Sequence, residues 1–168
     1  MSKCAELVCA LVILSCECRQ RKSSAHEGGS PVLAKNGNVE STPIIRSGTF
    51  AGECVGYCNR ELQITSKELV FEKKDGLKKR PTCRYRRSVE STEWHDLLSQ
   101  VDRAALEALP NTIGCPDCAD GGGEWLEADF GDIKKRLTFD RGADVPQVRQ
   151  LLTKVRALEA RLDELATP

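Results

Sequence analysis

The spacing of apolar positions changes character several times along the chain. Residues 7–14 are apolar throughout, interrupted only by the small Cys9 and Ala10. No apolar period follows until Pro43. Residues 44–50 then have strand composition. Leu62-Gln63-Ile64-Thr65 alternates as a half-buried strand does, and Leu69-Val70-Phe71 reads as its hairpin partner across a short turn. Residues 73–80 form a basic, Gly-containing turn, and residues 83–89 return as a further strand with Cys83 and Tyr85 on one side. Ser91 is placed to cap a helix whose Trp94, Leu97, Leu98 and Val101 share a face. A short second helix over 102–109 carries Ala105, Leu106 and Leu109 and stops at Pro110. Residues 125–130 and 135–139 predict a second hairpin around Gly131-Asp132. Finally, Val148, Leu151, Val155, Leu158, Leu162 and Leu165 recur in steps of three and four. This predicts an amphipathic helix of about twenty residues, with Asp144 as cap and Pro146 in its first turn. Under three heptads of such spacing favour a helix lying across a sheet over a coiled-coil dimer.

The expected fold class is α+β: a small antiparallel sheet from two hairpins, packed against a helical pair and a long C-terminal helix. The 168 residues suit one domain plus additional chain, and a 40% hydrophobic share supports a core. With 25 basic and 25 acidic side chains the net charge is zero, which argues against a nucleic-acid partner. The charge is nevertheless segregated. Residues 73–87 are strongly basic, whereas 117–132 and 159–164 are acidic. The basic run could meet anionic head groups or polysaccharide, or simply be a solvated hairpin tip.

The N-terminal apolar run is too short to span a bilayer and has the size of a signal h-region behind Lys3. Ile13-Leu14-Ser15-Cys16 closes it and resembles the bacterial lipobox. That resemblance implies cleavage before Cys16, acylation of its thiol and a lipid-anchored protein. Glu6 and the initial Ile depart from the usual pattern. The expected organisation is a signal peptide over 1–15, the lipidated Cys16 with a tether over 16–42, and a single α+β domain over 43–168. The tether is rich in Ser, Gly, Asn and charge, and His26 within it has no evident partner.

Nine cysteines need an explanation. Cys4 and Cys9 would leave with the signal, Cys16 would carry lipid, and Cys18 sits beside it. Cys54, Cys58, Cys115, Cys118 and Cys83 remain. The first four form a C-x₃-C and a C-x₂-C pair. Three chemistries fit: disulfides, which an exported domain favours; a four-thiolate zinc site; or a redox Cys115-Pro116-Asp117-Cys118. The Gly-rich stretch after Cys118 is the wrong context for the last, because redox motifs open a helix. Sequence leaves the pairing open.

Gly52-Glu53-Cys54-Val55-Gly56-Tyr57-Cys58 and Ile113-Gly114-Cys115-Pro116-Asp117-Cys118-Ala119-Asp120-Gly121-Gly122, with a hairpin and a Trp-bearing helix between them, resemble a family of uncharacterised bacterial lipoproteins. They are also similar to a broader domain of unknown function marked by Cys-x-Gly-x-Cys. The resemblance covers about residues 47–165 and implies an envelope location but no catalytic residue. The broader domain keeps the first pair without the second. This favours Cys54–Cys58 and Cys115–Cys118 as separate local pairs. Cys83 lies outside the pattern.

Other chemistry is sparse. Asp117, Asp120 and Glu124 could cradle a cation, yet their spacing fits no EF-hand, and solvated loop acids are expected. His95 beside Asp96 falls on the exposed side of its helix. No nucleophile–base motif or phosphate loop is present. The expectation is therefore a non-catalytic structural or binding domain without cofactor. It would be monomeric, held to the membrane by lipid, with an envelope partner of unknown kind. The alternative is a periplasmic metal-binding protein with Cys54, Cys58, Cys115 and Cys118 as ligands.

Overall fold

A computed structural model describes residues 42–52 and 54–166. The expected signal over 1–15, Cys16 and nearly all of the tether, with Cys4, Cys9, Cys18 and His26, lie outside the described residues. In chain order the elements are β1 (Ile44–Phe50), β2 (Asn59–Ile64), β3 (Glu68–Lys74), β4 (Cys83–Ser88), α1 (Ser91–Leu98), α2 (Arg103–Ala108), β5 (Thr112–Ile113), β6 (Gly123–Asp129), β7 (Lys134–Asp140) and α3 (Arg149–Leu165). Two 3-10 turns, Cys118–Asp120 and Pro146–Val148, precede β6 and α3.

The α+β class is observed, but the sheet is larger than two hairpins. It has seven strands in the order β4-β3-β2-β1-β6-β7-β5. The reason is β1, which pairs antiparallel with β2 on one side and β6 on the other. Ile45 faces Ile64 across the first pairing and Ala128 across the second. This central strand fuses the hairpin-built halves and removes an exposed edge from each. Only β5 is parallel, adding Thr112 and Ile113 beside Thr138 and Phe139.

Alternation sorts the sheet into two faces. Ile45, Leu62, Ile64, Leu69, Phe71 and Leu126 point to one face and are essentially inaccessible. The helices cover that face, α1 with Trp94 and Leu97, α2 with Leu106, and α3 with Leu151, Leu152, Val155 and Leu162. Each such side chain contributes about 2 kcal/mol by leaving water. Two capping expectations shift. Ser91 is the first residue of α1 and makes no cap, since Glu90 holds that position. Asp144 binds the Arg149 guanidinium at 2.6 Å instead of capping α3, because the Pro146–Val148 turn intervenes. Asp102 does cap α2, accepting from the Ala105 amide at 3.0 Å.

Candidate functional site

Strand direction gathers the chemically distinctive residues at one end of the sheet. The β1–β2 connection, the β3–β4 loop and the segment entering β6 all lie there, at the end of β1 opposite Ile44. Both cysteine pairs occur at this end and each joins locally. Cys54 pairs with Cys58 at a Cα separation of 6.2 Å, and Cys115 with Cys118 at 5.5 Å. Both separations fall within disulfide range.

The first loop turns at Gly56, whose φ of +102° suits glycine. The Gly56 carbonyl accepts from the Cys58 amide at 3.1 Å, and the Thr49 hydroxyl donates to the Cys58 carbonyl at 2.9 Å. In the second loop, Asp117 accepts from the Gly122 amide through Oδ1 at 3.0 Å. The Asp140 carboxylate accepts from the Cys115 amide at 3.2 and 3.3 Å. Cys118 opens a three-residue 3-10 turn and no α-helix, so the motif lacks the helix dipole that activates redox thiols.

The loops touch. A Cβ on Gly52 would stand 3.2 Å from the Asp117 carboxylate, and Gly122 packs against the Phe50 carbonyl and Ala51. On the other side, the Gly76 amide of the basic loop donates to the Gly56 carbonyl at 2.9 Å. Tyr57 lies between the two loops. Its hydroxyl donates to the Pro81 carbonyl at 2.9 Å and accepts from the buried Cys83 thiol at 3.5 Å. Its ring lies 5.4 Å from the Lys73 ammonium and 6.0 Å from the Arg80 guanidinium.

The basic run is divided by the fold. Lys73 points inward, in phase with Leu69 and Phe71, and reaches Asp163 at 3.2 Å. Lys74, Arg84, Arg86 and Arg87 pair with Glu72, Glu72, Glu68 and Glu93 respectively. Lys78, Lys79 and Arg80 project from the loop tip, where Asp75 spends its carboxylate on the Lys79 and Arg80 amides.

A polar cluster under α3 was not foreseen. Arg156 binds Glu124 at 2.6 Å, Ser47 donates to Glu159 at 2.5 Å, and Arg60 binds Asp163 at 2.8 Å. Together with Lys73–Asp163 these contacts carry α3 across β6, β1, β2 and β3. Burial drives the Glu159 carboxyl above its ordinary range, and Glu124 adds to the shift. The Ser47 hydrogen bond and the charges of Arg60 and Arg156 oppose it without cancelling it. The readable signal was the polar spacing Arg156, Glu159, Asp163 beside the apolar stripe. Ser47 is only 4% exposed, which keeps its hydroxyl from a substrate in solution.

The uncovered sheet face holds a concavity of about 500 Å³ around Trp125. Gly48 leaves room for the indole, and the Arg136 guanidinium stacks 3.9 Å above it. Glu127 is surrounded by Arg46 at 2.7 Å, Lys134 at 3.4 Å and Arg136 at 3.7 Å.

Among the described residues, no three His, Cys, Asp or Glu side chains gather as a metal site, and no helix is long and apolar enough to cross a membrane. His95 is exposed on α1, and Asp117 and Glu124 are engaged in the hydrogen bonds and ion pair given above. No family model matches the chain, and no curated protein matches it.

Proposed function

We propose that this chain is a lipid-anchored protein of the bacterial cell envelope whose domain over 43–168 serves as a structural or binding module. The observation that carries this reading is the pair of local cysteine linkages, Cys54–Cys58 and Cys115–Cys118. Such linkages persist in oxidising compartments and are rare in the cytosol. They agree with the export signal and lipobox-like Ile13-Leu14-Ser15-Cys16. Several acyl chains on Cys16 would hold the protein firmly, at about 0.8 kcal/mol per buried CH₂. The loop end and the charged, Trp-centred sheet face are the surfaces left for a partner.

The test has two readouts. Membrane fractionation in high salt should keep the wild-type chain with membranes and release Cys16→Ser; a variant still retained in high salt would refute the anchor. Thiol counting under denaturing, non-reducing conditions should leave Cys54, Cys58, Cys115 and Cys118 unreactive. Four reactive thiols together with stoichiometric zinc would replace the disulfide reading with the metal-binding one.

A further inference from the structure

We propose that the tip built by loops 54–58 and 75–81 docks onto an anionic lipid bilayer surface, as a contact separate from the Cys16 anchor. Among the described residues, three large hydrophobic side chains are strongly exposed, and two of them are on this tip: Val55 at 82% and Leu77 at 50%. The backbone segments that carry them touch. Gly76, which precedes Leu77, donates to the Gly56 carbonyl at 2.9 Å and packs against the backbone and Cβ of Cys54, so both neighbours of Val55 touch it. Single exposed apolar residues are ordinary, but two on the apices of locked loops form a small insertable knob.

The knob has a cationic collar. Lys78, Lys79 and Arg80 follow Leu77 and are exposed. Among the described residues, the ion pairs of this basic segment use Lys73, Lys74, Arg84, Arg86 and Arg87 and leave these three outside. The one acid of loop 75–81, Asp75, is buried and holds the turn. Asp117 and Asp120 belong to the separate loop that enters β6, where Asp117 packs against Gly52. Apolar side chains that enter the acyl boundary, ringed by cations that meet head-group phosphates, suit an anionic bilayer. The Cys54–Cys58 linkage and the Asp75 turn present the loops in a fixed shape, which lowers the ordering cost of docking. The tip is at the end of β1 remote from Ile44, where the chain enters the domain, so this contact is spatially distinct from the N-terminal one.

The experiment uses the full chain with Cys16→Ser, which removes lipidation, and Leu77→Trp as a local reporter. Trp94 and Trp125 are 5% and 9% exposed and will respond little. Vesicles of phosphatidylglycerol and phosphatidylcholine in equal parts should shift the reporter's emission to the blue, and added salt should reverse the shift. Phosphatidylcholine alone should not shift it. Lys78→Gln with Lys79→Gln should weaken partitioning about thirtyfold, and Val55→Ser should weaken it further. Absence of a shift with anionic vesicles, an equal shift with neutral ones, or indifference to the two lysine substitutions would overturn the proposal. None of these outcomes bears on the Cys16 anchor.

Discussion

At single positions, the structure turns on close approach and on one buried carboxyl. Gly48 lies on β1 where a Cβ would stand 2.8 Å from two atoms of the Trp125 ring and closer still to the Arg60 carbonyl. Neither neighbour is free to yield, because the carbonyl belongs to the β2 backbone and the indole lies under Arg136. Gly48→Ala should therefore cost about 1–3 kcal/mol by overpacking, read as a lower urea midpoint. An unchanged midpoint would mean that the strands shift apart freely. Glu159 gives a pH-dependent prediction. Its folded-state pKa is raised above 4.5, so the folded chain holds this proton more tightly than the unfolded chain. As pH rises from 4.5, the unfolded chain loses the proton first and this group's contribution to stability falls. The decline ends once pH passes the folded value. Glu159→Gln should match the wild type below pH 4.5 and exceed it at neutral pH. Glu93, held below its ordinary value by the Arg87 hydrogen bond despite partial burial, acts in the opposite direction. The informative quantity is therefore the variant-minus-wild-type difference in urea unfolding across pH. A flat difference would remove Glu159 from the account.

Among the elements, what could be read from sequence was what repeats within a few residues. The α3 stripe, the β2–β3 pair and the β6–β7 pair each carry a local period and a nearby partner. The central role of β1 has no such signal, because Ile45 meets Ala128 only through the folded sheet. Strand β5 is two residues long and shows no period at all. Spacing singles out the two close cysteine pairs but leaves their connectivity open, and only the family resemblance favours local pairing; their convergence at one end follows from β1 joining the two halves. Likewise, the run over 73–87 reads as one basic patch, whereas strand alternation sends Lys73 inward and Lys74 outward. The two staples close very short loops, so the chain-entropy term is small, about 2 kcal/mol each. Neither loop supplies a side chain to the core. Replacing Cys54 and Cys58 together by Ser, or Cys115 and Cys118, should thus lower unfolding free energy by about that amount while the far-ultraviolet circular dichroism stays unchanged. Loss of the folded spectrum would show that a staple is needed for the sheet itself.

For the molecule as a whole, the apolar core is closed by its own helices. Among the described residues, the buried hydrophobic cluster runs from Ile45 on β1 to Ala166 beyond α3. Helix α3 seals it by combining an apolar stripe with ion pairs that span four strands. The opposite face is surfaced by paired charges such as Arg46–Glu127 and Arg84–Glu72. Such a domain should unfold as a single cooperative unit, as small single-core domains do. A fragment over 42–168 should melt within a degree or two of the full Cys16→Ser chain, because residues 45–166 supply the described core between them. Differential scanning calorimetry of the two proteins checks this. A fragment melting several degrees lower would mean that residues 1–41 cover part of the sheet, and the Trp125 concavity would then be the first place to look for them.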